Sequence, residues 1–190
     1  MNSSKPIILT FVGMTGAGKD MCTDYVAHHY SAPVIHFGHM VYDEIARRGL
    51  NIVKDEKMVR EDMRAKEGLA VLAKRVAAKA HDLITAGHKR IALNGLYSWS
   101  EYKYLSQEFG EQFICVAITA PRSLRYKRLL NRKDAHRQYT LKQIIDREVA
   151  EIENLEKGGP IARADYTLLN DSSPEDLHKK IAALLQEMQF

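Results

Sequence analysis

The sequence predicts an α/β fold in which a parallel sheet is covered by helices on both faces. Three observations carry this expectation. Short apolar runs alternate with longer amphipathic segments along the whole chain, the pattern of strands joined by helical crossovers. The runs are mostly continuous rather than alternating, as in strands buried on both faces. The first run, Ile7–Val12, leads at once into Gly13-Met14-Thr15-Gly16-Ala17-Gly18-Lys19-Asp20 and then into helical spacing. That strand–loop–helix setting belongs to a phosphate-binding turn.

Taken in order, 7–12 is the first strand, and the helix after the loop carries Met21, Cys22, Tyr25, Val26 and His29 on one side. Pro33 punctuates, and Val34–Phe37 reads as a second strand with His36, Gly38 and His39 at its carboxyl end, the edge where open parallel sheets bind ligands. A short helix runs from Met40 to about Arg48, with Val41 and Ile45 four apart and Gly49 as its stop. Lys54–Glu67 is charged and helical, anchored by Val59 and Met63, with Arg60 and Arg64 one turn apart. The clearest amphipathic helix is 69–86, with Leu69, Leu72, Val76, Leu83 and Ile84 inward and Gly87 closing it. The third strand is Arg90–Leu93, followed by Asn94-Gly95.

Ser98-Trp99-Ser100-Glu101 has capping-box spacing and starts a helix with Tyr102, Leu105 and Phe109 on one face. Phe113–Thr119 is the fourth strand. Pro121 opens a basic helix ending near Asn131, and a polar stretch, Arg132–Tyr139, follows. Thr140 caps a long helix with Leu141, Ile144, Ile145, Val149, Ile152 and Leu155 expected inward, broken at Lys157-Gly158-Gly159-Pro160. Tyr166–Leu169 is the fifth strand. Ser173 and Pro174 start the last helix as cap and first residue, with Leu177, Ile181 and Leu184 facing in. No linker divides residues 1–190, so a single domain is expected.

The 190 residues suffice for one well-cored domain, and 45% hydrophobic with 27% charged residues is the composition of a soluble globular chain. The net charge of +4 suits an anionic ligand but lacks the dense basic stripe of a nucleic-acid binder. An RNA-linked NTPase is disfavoured for that reason. Cys22 and Cys115 lie in apolar surroundings and read as reduced packing residues of a cytoplasmic protein. The N-terminal residues show no signal-peptide pattern, and no apolar run is long enough to span a membrane. His28, His81, His88, His136 and His178 show no metal-ligand spacing.

Except for its last residue, the loop at 13–20 fits G-x-x-x-x-G-K-[ST]. Its glycines let successive N–H groups turn inward around phosphate oxygens, the following helix adds free N–H groups and its dipole, and Lys19 reaches the outer phosphates. Asp20 stands where a hydroxyl usually meets Mg²⁺. It has two readings: a carboxylate ligand toward Mg²⁺, or an acidic residue favoured in a helix's first turn. Residues 122–137 hold Arg122, Arg125, Lys127, Arg128, Arg132, Lys133 and Arg137 against the single acid Asp134. Such a segment can close over an anionic donor, with Arg132, Arg137 and then Arg128 the functional candidates, or it can be a solvated basic face. Asn170-Asp171-Ser172-Ser173 could read an adenine edge, or simply cap the last helix.

With these pieces in view, the chain resembles P-loop kinases of the nucleoside-monophosphate-kinase group, dephospho-CoA kinase and its archaeal-type relatives among them. The resemblance rests on the loop at 13–20, on Val59-Arg60-Glu61-Asp62-Met63-Arg64-Ala65-Lys66-Glu67-Gly68, on Ala120-Pro121 with Arg128-Leu129-Leu130-Asn131-Arg132, and on Ala164-Asp165-Tyr166 leading to Asn170. It implies a three-layer P-loop NTPase fold with a five-stranded core, an ATP·Mg²⁺ donor, a mobile lid at about 132–139 and an acceptor site beneath it. On this reading 13–21, Arg132 and Asn170 bind the nucleotide, Asp20 serves the metal, and Lys19, Arg128, Arg132 and His39 serve catalysis. His39, Arg60, Arg64, Asn94 and Arg137 then face the acceptor, a nucleoside monophosphate or dephospho-CoA type of small molecule. Two departures stand out. The carboxylate such kinases often carry after strand two is replaced by His36-Phe37-Gly38-His39, and a frequent Asp-Gly after strand three becomes Asn94-Gly95. His39 could act as base, and a phosphate acceptor would need none. The rival reading is a non-catalytic nucleotide-binding sensor with a kinase fold. The oligomeric state is not legible.

Overall fold

The computed structural model describes residues 5–132 and 139–190. Its strands are β1 (Ile7–Val12), β2 (Val34–His36), β3 (Arg90–Asn94), β4 (Phe113–Thr119) and β5 (Tyr166–Leu169), and they form one sheet in the order β2-β3-β1-β4-β5. Every pairing is parallel, and β1 lies at the centre with Leu9 opposite Ala92 on one side and Ile114 on the other. The expected α/β fold with a five-stranded parallel core is therefore what forms. Because the chain goes to opposite sides of β1 to reach β3 and β4, the loop leaving β1 opens at the point where the connections diverge. Ligands of open α/β sheets bind in that crevice.

Period-two alternation sends β1 into two cores. Ile8 and Val12 join Ile91, Leu93, Cys115 and Ala117 on the face covered by α2 (Phe37–Arg47), α3 (Ile52–Glu67), α4 (Val71–Thr85) and α5 (Trp99–Phe109). Leu9 and Phe11 join Ala92, Val116 and Ile118 on the face covered by α1 (Lys19–Tyr30) and α9 (Pro174–Glu187). This is the three-layer arrangement. Both cysteines are buried and free. Ser98 and Thr140 make full capping boxes, and Ser173 accepts from the Asp176 N–H with Pro174 following it. No helix among the described residues is long and apolar enough to cross a membrane.

Four expectations need correction. Strand β2 stops at His36 and α2 starts at Phe37, three residues before Met40, because the Phe37 side chain is buried in the core as the helix begins. Helix α4 starts at Val71, which leaves Leu69 64% exposed rather than inward. The breaker at 157–160 instead opens a short helix, α8 (Gly158–Ala162), whose Gly159 lies so close to the Trp99 ring that a Cβ would be 2.8 Å from it. The largest correction concerns α7 (Leu141–Glu153). It packs on α6 (Arg122–Leu130), and of its expected inward residues Ile144 is buried while Leu141, Ile145, Val149 and Ile152 are exposed. The reason is electrostatic: its inner face carries Glu148 and Glu151, each paired to a cation from a neighbouring element.

Candidate phosphate-binding site

The loop from Gly13 to Gly18 has the backbone its sequence demands. Gly13 (φ 145°) and Gly18 (φ 106°) sit in the left-handed region, and a Cβ on either would run into Ile118 O or the Asn170 amide. Only glycine fits there. Gly18 is the N-cap of α1, so no side chain takes up the N–H groups of the helix's first turn, which stay free for an anion. Ala17 is buried, while Met14, Thr15, Gly16 and Met21 are half-exposed, which keeps the mouth of the loop open.

Lys19 curls back into its own loop, donating to Gly13 O at 2.7 Å and to Met14 O at 3.3 Å. Among the described residues it has no carboxylate in ion-pair contact. Burial pushes its pKa down to about 7, the Lys157 charge pushes the same way, and Glu151 and Asp20 oppose them. A half-buried ammonium resting on carbonyls would regain its full charge beside an anion such as a phosphate.

Residues that sequence reasoning passed over stand around the loop. The Thr15 hydroxyl donates to Glu151 Oε1 at 2.7 Å, and Lys157 Nζ donates to Glu151 Oε2 at 2.6 Å. Arg147 Nε reaches Glu151 Oε1 at 3.2 Å and its Nη1 donates to the Tyr139 hydroxyl. Burial alone would raise the Glu151 pKa. The Lys157 ammonium and the hydrogen bonds from Lys157 and Thr15 outweigh it, and the carboxyl sits below the usual range. Arg125 donates to Thr15 O and forms a 2.6 Å ion pair with Glu148 Oε1, off the hydrogen-bond line, so that oxygen is buried without a hydrogen bond.

Comparison with known proteins agrees with this geometry. The family described as an AAA domain matches residues 12–146. The UPF0200/UPF0201 protein of Archaeoglobus fulgidus is 30% identical over 95% of this chain, which spans 55% of that relative's length. A UPF0200 protein of Thermoplasma acidophilum is 31% identical, with 95% of this chain and 96% of the relative covered. The chain belongs to the AAA domain family and to the UPF0200 proteins. Shikimate kinase from Acinetobacter baumannii in complex with shikimate superposes with a TM-score of 0.58 at 16% identity, covering 98% of this chain and 96% of that one. That likeness establishes a P-loop kinase fold. The relatives bear the UPF0200 name rather than that of dephospho-CoA kinase.

In this UPF0200 chain the site residues expected from sequence separate into groups. Arg128 and Asn170 meet at the loop but hold one another. Arg128 donates to Asn170 O and Oδ1, both at 3.1 Å, and Asn170 Nδ2 donates to Ala17 O at 2.8 Å. Asn170 is 4% exposed, and its amide is engaged by Ala17 O and by Arg128, so it braces the glycine loop. Asp20 is exposed in the first turn of α1. Among the described residues no group of three or more His, Cys, Asp and Glu side chains is arranged to hold a metal.

On the acceptor side, Arg60 pairs with Glu56 at 2.8 Å. Arg64 is drawn to Glu101, the capping-box acid, at 3.2 Å. Asn94 ends β3 opposite His36 of β2. The exposed His39 lies 4.7 Å, ring to ring, from His36 and borders a cavity of about 350 Å³ along β2 with Lys79 and Asp82. His36, whose pKa is lowered first by burial and then by His39, is the imidazole that feels Asp24 and Asp20 of α1. Arg132 is half-exposed just beyond α6. Arg137 and the rest of the expected lid, 133–138, lie outside the described residues.

Of these residues, Glu151 had a legible signal, shared with Glu148. Glu148 and Glu151 follow Ile144 at i+4 and i+7 and so share its helix face.

Proposed function

We propose that the chain is an ATP-dependent kinase of a small molecule, with a nucleotide or nucleotide-like acceptor of the nucleoside monophosphate or dephospho-CoA type. The observation that carries this is Lys19, half-buried at the mouth of a glycine loop and, among the described residues, donating to backbone carbonyls with no carboxylate in ion-pair contact. The loop N–H groups and Lys19 hold the outer phosphates, and Arg132 reaches the transferring group from the start of the lid. The half-exposed loop residues 14–16 and Met21 border the nucleotide, and Arg128 and Asn170 keep the turn in shape. Asp20, exposed beside the phosphates, fits a Mg²⁺ held largely by phosphate and water. An acceptor oxygen attacks the terminal phosphorus, the bond to the bridging oxygen breaks, and ADP leaves. His39, Arg60, Arg64, Asn94 and Arg137 are the acceptor-side candidates. An ionised phosphate acceptor needs no base, which suits a site with His36 and Asn94 at the strand ends. The buried free thiols suit a reducing cytoplasm.

The test is ADP release from ATP·Mg²⁺ against a panel of nucleoside monophosphates and dephospho-CoA. Turnover with one acceptor, lost in Lys19→Ala while the melting temperature holds, supports the reading. ATP binding without turnover on any acceptor overturns catalysis and leaves the nucleotide sensor. Unchanged ATP affinity in Lys19→Ala overturns the assignment of the loop.

A further inference from the structure

Lys157 has no part in the reading above, yet it is one of the most deeply buried large side chains, 1% exposed. Its ammonium donates to Glu151 and lies 4.7 Å from the centroid of the Tyr97 ring. An ammonium carries three donors, and among the described residues Lys157 spends one of them in a hydrogen bond. Through Glu151 it is tied to the Thr15 hydroxyl, at the tip of the phosphate loop.

The charges around that tip do not cancel. Among the described residues Arg147 and Lys157 are positive and Glu151 is negative, and Lys19 makes the surplus two where it is protonated, below about pH 7; Arg125 and Glu148 neutralise each other. With the exposed Asp20 counted as well, one positive charge among the described residues is unanswered when Lys19 carries its proton. A bound anion would answer that surplus and hold Lys19 in its charged form. The anion that fits beside Thr15 and Lys19 is a terminal phosphate.

We infer that Lys157 is a second phosphoryl-binding cation, held in place by Glu151 beside Thr15 and directed at the terminal phosphate of a bound nucleoside triphosphate. This rests on the loop's binding such a nucleotide. Glu151 is then a positioning residue, orienting Lys157 with one oxygen and Thr15 with the other. A diphosphate lacks the group that Lys157 contacts, so Lys157 separates the triphosphate from the diphosphate.

The experiment measures, by calorimetry, the affinities of Mg²⁺-bound imido-ATP and of ADP. Lys157→Met takes the ammonium from Glu151 Oε2 and leaves that buried carboxylate to Thr15 and Arg147, so the double variant Lys157→Met with Glu151→Gln is measured beside it. Affinity for imido-ATP is expected to fall roughly ten- to hundredfold, the scale of one hydrogen bond to a charged group, while ADP affinity stays at the wild-type value. A parallel fall for both ligands, or no change for either, makes Lys157 purely structural and overturns the inference. Wild-type chain that binds neither ligand overturns the nucleotide reading itself, a distinct result. Should both variants fail to fold, the wild-type chain still decides. The Lys157 ε-methylene NMR signal, identified by its loss in Lys157→Arg, is expected to move with imido-ATP and not with ADP. An equal response to the two ligands, or no response, overturns the inference.

Discussion

Helix α4 buries Val71, Leu72, Val76 and Ala80 against the sheet and its neighbouring helices, whereas α7 leaves Leu141, Ile145, Val149 and Ile152 between 42% and 51% exposed and buries Glu151. Both segments show apolar residues at helical spacing. What differs is the surface each one meets. Helix α4 lies over β2 and between α2 and α5, an apolar setting in which every buried methylene contributes. Helix α7 meets α6 and the phosphate loop, where Arg125, Lys157 and Thr15 offer donors and charge. Here α7 turns its acids inward, because the cations gathered beside it need a counter-charge that the hydrophobic pattern does not announce.

The largest effect is expected where the apolar rule holds. Val76 is completely buried in the hydrophobic core, and Val76→Asp places a carboxylate there. The cost, on the order of several kcal/mol, is comparable with the whole stability of a domain, about 5–15 kcal/mol. Circular dichroism should show an unfolded chain at 25 °C. A folded variant would mean that α4 can lift from the core.

On α7 the equivalent damage comes from removing a charge. Arg125 and Glu148 are 9% and 14% exposed at the side chain, and Tyr126 donates its hydroxyl to the same carboxylate. Arg125→Met should cost about 3–5 kcal/mol in urea unfolding, with much of it recovered when Glu148→Leu is added. If the single variant is as stable as wild type, the inner face of α7 is not held by this pair.

The same contrast marks what was legible in the chain. The strands, the glycine loop and the caps at Ser98, Thr140 and Ser173 were legible because each rests on local chemistry that tertiary packing does not reverse. The inward face of α7 was not, since it depends on Arg125, which reaches it from α6, and on Lys157, which folds back onto it from just beyond its own end. The contact of the Asn170 amide with Ala17 O in the glycine loop, 153 residues away, was not legible either, because it needs the fold. The pairing of Arg64 with Glu101, 37 residues apart, is of the same kind.

A third, smaller effect follows from Lys19. Its pKa near 7 arises first from burial and then from Lys157. In the free protein the side chain is therefore neutral above that pH and charged below it. A bound phosphate favours the ammonium and raises the pKa, so binding takes up protons on the alkaline side. Calorimetry in buffers of differing ionisation enthalpy should give uptake approaching about one proton per nucleotide near pH 8 and almost none near pH 6. Affinity should weaken by up to about tenfold per pH unit above 7. Equal uptake at both pH values would show that Lys19 keeps its charge in the empty loop.

The smallest effect tests the comparison most closely, because it contrasts two adjacent isoleucines of α7. Ile144 is 4% exposed and Ile145 is 42% exposed, although both belong to the apolar stripe. One residue is 100° of helix turn, enough to carry a side chain from the α6 contact to the surface. Ile144→Ala removes buried methylenes and leaves a cavity, which should cost about 2–5 kcal/mol. Ile145→Ala removes the same atoms from a surface position and should stay within about 0.5 kcal/mol of wild type in urea unfolding. Equal losses at the two positions would mean that α7 packs by its apolar stripe and that the acids lie outside. A loss at Ile145 alone, growing with protein concentration, would mean that another chain covers that stripe in solution. A flat result at Ile145 beside a large one at Ile144 fixes the orientation of α7, and with it the direction in which Glu151 faces the phosphate loop.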